Sequence, residues 1–213
     1  MKHIYYISGF GADERVFAKI DFGENDVHFI PWKIPQRHES IESYARKMSA
    51  EIHHPNPILL GLSFGGMMAI EIAKLIPVEK IILVSSICCR QELPLYMKLT
   101  SFFRLNTLIP MKPYPILEPI ENHNLGVETQ DEKKLLREYR TNLNLDYSNW
   151  AIDQVVNWKN KWQPPNFIHI HGTNDHIFPI KYIIRPDYKI EHAGHLLLMN
   201  NYREVNEILK REL

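Results

Sequence analysis

The run Ile58-Leu59-Leu60-Gly61-Leu62-Ser63-Phe64-Gly65-Gly66-Met67-Met68-Ala69-Ile70 passes from apolar residues, through a serine with glycines two residues away on each side, into a second apolar segment. A strand covered on both faces reads as a near-continuous apolar run, and residues 57–62 fit that pattern. A helix is expected over residues 65–75, with Pro77 stopping it. The turn between the two must be tight. Small residues at Gly61 and Gly65 let the flanking backbones approach while the Ser63 hydroxyl projects from the end of the sheet. The first amides of the helix would then lie near any negative charge that develops there. As a bare pattern Gly-x-Ser-x-Gly arises easily by chance; its position between a buried strand and a helix makes it informative.

Similar short apolar runs occur at residues 4–7, 27–31, 80–85 and 167–170, and more weakly at 188–191. Helical periodicity lies between and after them, over residues 40–52 and 203–213, with Ser40 placed to cap the first of these. Strand, helix, strand in succession predicts right-handed crossovers and an α/β fold with a mostly parallel sheet. Residues of about 88–165 interrupt that rhythm and are expected to form a mainly helical insertion within a single domain spanning 1–213. Pro110, Pro113, Pro115 and Pro119 predict an irregular stretch over 110–119, and residues 128–140 read as a charged helix with a solvated face. Trp150, Trp158 and Trp162 fall near the end of the insertion.

A serine alone is a poor nucleophile and needs a base and an orienting acid. His171-Gly172-Thr173-Asn174-Asp175 leaves the strand expected at 167–170, and Glu191-His192-Ala193-Gly194-His195 leaves the next one. In a parallel sheet the C-terminal strand ends share one face, where open α/β sheets bind ligands. Ser63, Asp175 and His195 are therefore the candidates for nucleophile, acid and base. His192 rivals His195, and Asp153 and Asp187 rival Asp175; neither rival acid leaves the C-terminal end of an expected strand. His169, His171, Asp175 and His176 offer metal-ligand chemistry, yet they read more simply as core and supporting groups. His53-His54 reads as a pair at a helix end.

The 213 residues contain 45% hydrophobic side chains, with 25 Lys plus Arg balanced by 25 Asp plus Glu. That balance argues against a dedicated nucleic-acid binder or a polybasic membrane anchor. No run reaches the roughly 20 apolar residues of a membrane-spanning helix. The two cysteines, Cys88 and Cys89, are adjacent, which excludes a disulfide framework and suits buried free thiols. The opening Met1-Lys2-His3 runs directly into apolar residues, with Gly9 and Asp13 soon after, so no signal peptide and a cytoplasmic location are expected. No phosphate-binding loop or dinucleotide fingerprint is present.

Taken together, the serine turn at 61–66, the acid loop 171–175 with Pro179 beyond it, and the base loop Ala193-Gly194-His195 resemble the α/β-hydrolase superfamily over nearly the whole chain outside the insertion. Ser8-Gly9-Phe10-Gly11 is similar to the family's first active-site loop, with Ser8 where histidine is usual. The resemblance implies that Ser63 attacks a carbonyl, His195 carries the proton, and Asp175 holds the imidazole. It also implies that the backbone amides of Phe10 and Phe64 form the oxyanion hole. The chain starts at what would be an inner strand of the family's sheet, so a minimal sheet of about six strands is expected. The insertion would be a cap, with the apolar side chains of residues 93–103 on its buried side and Leu95, Leu99 and Phe102 lining the substrate pocket. The implied chemistry is hydrolysis of an ester or related acyl bond in a small molecule, with no cofactor and no metal. Thioesters, carbon–carbon bonds and a non-catalytic binding role are the alternatives on the same scaffold.

Overall fold

The computed structural model describes residues 1–104 and 114–213. Strands β1 (His3–Ile7), β2 (Asp26–Phe29), β3 (Ile58–Leu62), β4 (Lys80–Val84), β5 (Phe167–Gly172) and β6 (Tyr188–Ile190) alternate with helices. The helices are α1 (Ile41–Ser49), α2 (Phe64–Ala73), α3 (Leu95–Phe102), α4 (Glu118–Leu125), α5 (Gln130–Thr141), α6 (Leu145–Asn157), α7 (Leu197–Asn200) and α8 (Tyr202–Glu212). The strands form one sheet in the order β2-β1-β3-β4-β5-β6, and every neighbouring pair is parallel.

The apolar runs fill both faces of this sheet because successive strand residues point to opposite sides. Tyr5, Ile7, Leu59, Ile81 and Leu83 face a core shared with α1, α2 and α6. Ile4, Ile58, Leu60, Ile82, Val84 and Ile170 face the other, closed by α7 and α8. Each fully buried Leu or Ile contributes about 1.5–3 kcal/mol, so the central strands β3 and β4 anchor the molecule. Helix α2 is buried almost all round, as expected of a helix that lacks a polar face. Its single acid, Glu71, is 2% exposed and is satisfied by Lys74 at 2.6 Å and the Trp158 indole N–H at 2.7 Å. Ser40 caps α1 by accepting from the Ser43 amide.

Helices α3 to α6 all lie between β4 and β5 in the chain. Three expectations for this stretch need correction. Pro115–Leu117 forms a short 3-10 turn and Pro119 sits in the first turn of α4, where a missing N–H costs nothing, so residues 115–119 are helical; Pro110 and Pro113 lie outside the described residues. Helix α5 is not charged and solvated throughout. Glu132 is 4% exposed and closes a capping box with Thr129, while Leu136 and Tyr139 enter the core. Finally, α3 buries none of its residues: Leu95, Leu99 and Phe102 are 58%, 46% and 78% exposed. Leu93, just before α3, takes the buried position instead. Cys88 and Cys89 are free and buried. Among the described residues, no helix is long and apolar enough to cross a membrane.

Candidate active site

The chain turns from β3 into α2 at Ser63, whose φ of 54° and ψ of −119° lie where a side chain is strained by about 1–3 kcal/mol. The surroundings hold it there. Its amide donates to the Val84 carbonyl at 2.9 Å, its carbonyl accepts from the Gly66 amide at 3.0 Å, and the Ser86 hydroxyl donates to the same carbonyl at 2.7 Å. A Cβ at Gly61 would fall on the backbone of Gly65 and Gly66, and one at Gly65 would fall on the carbonyls of Ile7 and Ser8. The two glycines are thus required by close approach, and the turn that they permit leaves the Ser63 side chain partly exposed at the strand C-terminal edge.

Asp175 and His195 reach the same edge from the loops after β5 and β6. The two loops are tied together, Thr173 donating to Ile190 and Asn174 to Ala193 through their amides. One His195 nitrogen, Nε2, lies 2.9 Å from Ser63 Oγ, and the other, Nδ1, lies 2.8 Å from Asp175 Oδ2. The second carboxylate oxygen of Asp175 accepts from the amides of Ile177 and Phe178, each at 2.8 Å. Asp175 is 2% exposed, and burial alone would raise its pKa; His195, His171 and the backbone donors outweigh this and hold it below its ordinary value. A carboxylate beside Nδ1 selects the tautomer that carries its proton there, leaving Nε2 free to accept from the serine. The structure brings Ser63, His195 and Asp175 into one hydrogen-bonded chain. His192 is exposed, Asp153 lies on α6, and Asp187 accepts from the His169 amide at 2.9 Å; none of the three joins it.

Phe64 follows Ser63 in the chain, and Phe10 follows Gly9. Phe64 is the first residue of α2, and an amide in that position has no carbonyl partner within its helix. Gly9 packs beside Ser63, and the loop carrying Phe10 is braced in a way that sequence reading missed. The Ser8 hydroxyl donates to the Ala12 carbonyl at 2.6 Å, while the Trp32 indole N–H reaches Ser8 Oγ at 3.1 Å and the Gly9 carbonyl at 3.0 Å. Trp32 also stacks on Phe64, with ring centroids 4.9 Å apart. Ser8 and the Trp32 indole, which comes from beyond β2, thus share the bracing of this loop.

The helical insertion touches both loops of the chain of three. The Tyr96 hydroxyl of α3 donates to the Ile177 carbonyl at 2.9 Å. At the end of α4, the Leu125 carbonyl accepts from the Leu196 amide and the Gly126 carbonyl from the Asn200 side chain. A cavity of about 230 Å³ opens beside Gly11, Trp32, Leu143 and Tyr147, and one of about 650 Å³ lies between residues 35–40 and 146–154. Neither is lined by Ser63, Asp175 or His195, nor by Leu95, Leu99 or Phe102.

His169 and His171 are fully buried beneath the acid loop. His171 Nε2 lies 2.8 Å from the Phe178 carbonyl and 3.5 Å from Asp175, and His169 Nε2 lies 3.0 Å from the Ser86 carbonyl. Burial lowers the pKa of both rings, which pack beneath Asp175. Burial, aided by His171, lowers the His169 pKa from 6.5 to about 3. The unfolded chain therefore takes up this proton below about pH 6.5 while the folded chain does not until about pH 3. Stability due to neutral His169 is complete above that window and falls through it on acidification, by at most about 1.4 kcal/mol per pH unit. Urea melts at pH 7 and pH 5 should show a loss of about 2 kcal/mol from this residue, absent from the His169→Gln difference. Equal pH dependence in the two proteins would contradict it.

No protein-family model and no curated protein matches the sequence. Solved structures do match in shape. MenH from S. aureus superposes with a TM-score of 0.74 at 15% identity, covering 99% of this chain and 92% of that one. An esterase from Thermogutta terrifontis gives 0.70 at 16% identity over 100% of this chain and 89% of the other. An α/β-hydrolase fold protein from Burkholderia ambifaria gives 0.72 at 12% identity over 98% and 89%. The parallel six-strand sheet, the strand order, and the match to these structures over nearly their whole lengths together establish that this chain has the α/β-hydrolase fold.

Proposed function

We propose that the protein is a serine hydrolase that cleaves an ester or related acyl bond in a small or medium apolar substrate, through an acyl-Ser63 intermediate. The observation that carries this reading is the hydrogen-bonded series from Asp175 through His195 to Ser63 Oγ. Proximity at 2.9 Å lets His195 Nε2 take the hydroxyl proton as Oγ attacks the substrate carbonyl carbon. Negative charge then builds on the carbonyl oxygen, where the amides of Phe64 and Phe10 would receive it. The imidazolium formed faces Asp175, whose ionised carboxylate stabilises it and fixes its orientation. Nε2–H next protonates the departing alkoxide, leaving an ester of Ser63. Water, deprotonated by the same nitrogen, attacks that ester and releases the acid with Ser63 restored.

Residues of about 88–165 act in this reading as a cap. Its contacts to the Ile177 and Leu196 backbones would couple the cap to the acid and base loops, and the exposed side chains of Leu95, Leu99 and Phe102 would meet substrate. The likeness in fold to the Thermogutta terrifontis esterase supports an ester substrate without selecting one. A panel of p-nitrophenyl esters and acyl thioesters of graded chain length tests the proposal. We expect turnover of the oxygen esters with a preference for short to medium apolar acyl groups. Equal rates across the panel would remove the apolar preference, thioester-only turnover would reassign the bond, and no turnover of any member would contradict the reading.

A further inference from the structure

At the opposite end of β1 from the serine, four potential ligands converge on one point. His3 opens β1, Asp26 and His28 lie on β2, and His54 follows α1. The parallel register pairs His3 with Asp26 and Tyr5 with His28, which sets the three side chains of His3, Asp26 and His28 on one face of the sheet edge. One donor atom from each of His3, Asp26, His28 and His54 lies within 4.8 Å of all the others. We propose that these four residues form a binding site for a zinc-class divalent metal ion, separate from the chemistry at Ser63. The strand length between His3 and Ser8 puts the two sites roughly 17 Å apart.

The donor set and its supports favour such an ion. Three imidazoles and one carboxylate suit zinc and the neighbouring transition metals over calcium or magnesium, which prefer oxygen. Asp26 Oδ2 already accepts from His3 Nδ1 at 2.9 Å and from His28 Nε2 at 2.8 Å, so a single carboxylate oxygen gathers both rings. His54 is oriented from behind: its Nδ1 lies 2.8 Å from the hydroxyl of Tyr5, a side chain only 1% exposed, and the tautomer protonated at Nδ1 donates to that oxygen and leaves Nε2 for the ion. A ligand histidine with its second nitrogen fixed by a buried partner is the usual arrangement at metal sites. His28 is held by stacking on the Tyr5 ring at 4.6 Å.

Coordination asks for a local adjustment. Tetrahedral zinc with bonds of about 2.0–2.1 Å spaces its donors about 3.3 Å apart, so the two Asp26 contacts open slightly and His54 moves inward. His3 and His54 now stack nearly parallel, with centroids 3.7 Å apart, and their rings must fan apart to point at a common centre. Side chains that are about one-third exposed, as His3 and His28 are, can turn in this way and give the ion a path from solvent. The ion replaces the two N–H hydrogens now shared with Asp26, each of which moves to the far nitrogen of its own neutral ring. Bound, it would join β1, β2 and the turn after α1 into one unit.

The test uses the full chain without an affinity tag, stripped with chelator and titrated with Co²⁺. One ion per chain is expected, with the intense visible absorption of a tetrahedral nitrogen–oxygen site, displaced stoichiometrically by Zn²⁺. His28→Gln and His54→Gln should each weaken binding at least about 10-fold, and Tyr5→Phe by about 10–100-fold. Ser63→Ala should bind as the parent does. His54 lies on a part-exposed turn, so His54→Gln keeps the test valid even if His28→Gln disturbs the edge strand, and near-ultraviolet circular dichroism in chelator checks both folds. Absence of stoichiometric binding at micromolar Co²⁺, or unchanged affinity in folded His54→Gln, would overturn the proposal.

Discussion

Replacing Ser63 by alanine should lower ester hydrolysis by on the order of 10⁴–10⁶-fold while leaving the fold intact. The size of the effect follows from what is removed. Without Oγ no acyl intermediate forms, and the residual rate comes from whatever the oxyanion donors and binding can do for water attacking directly. Stability should not suffer. Ser63 is held by its backbone, through Val84, Gly66 and Ser86, and among the described residues its hydroxyl bonds to His195, while the Cβ that packs beside Gly9 is kept in alanine. Steady-state kinetics on the best ester of the panel, paired with a thermal melt, measures both. Activity within tenfold of the parent in a folded Ser63→Ala protein would mean that the serine is not the nucleophile.

Asp175→Asn should cost on the order of 10⁴-fold in kcat with little change in KM, through the histidine tautomer. The amides of Ile177 and Phe178 donate to one oxygen of residue 175. An asparagine would keep its carbonyl oxygen there and turn its NH₂ toward His195 Nδ1. That nitrogen would then have to accept, moving the ring proton to Nε2, where it faces Ser63 and cannot receive the hydroxyl proton. The loss also includes the carboxylate charge that stabilises the imidazolium. A variant that kept kcat within tenfold would show that Asp175 does not orient the base.

The sheet was legible because β3 and β4 are buried on both faces and read as nearly unbroken apolar runs, while β5 keeps enough of that pattern at Phe167, Ile168 and Ile170 despite the buried His169 and His171. The serine turn was legible because close backbone approach leaves glycine as the residue that fits at 61 and 65. Asp175 and His195 could be selected because parallel strands put every C-terminal loop at one edge. The insertion was harder to read. Its helices have apolar residues on faces that the sheet does not cover, so Leu95, Leu99 and Phe102 looked like buried positions and are exposed. Thr129 and Glu132 carried a capping-box spacing that would have removed Glu132 from the solvated face. The bracing of the Phe10 loop by Trp32 and the convergence of His3, Asp26, His28 and His54 had no local signal. Both depend on the β1–β2 pairing, and a shift of one residue in that register would turn the β2 side chains to the other face.

Reaction with a fluorophosphonate, followed by peptide mapping, reports on whether the serine hydroxyl and the imidazole act together. A single adduct on Ser63 is the predicted result, forming orders of magnitude more slowly in folded His195→Ala. An adduct elsewhere in the chain, no adduct at all, or labelling of Ser63 at an unchanged rate without the His195 ring would contradict it.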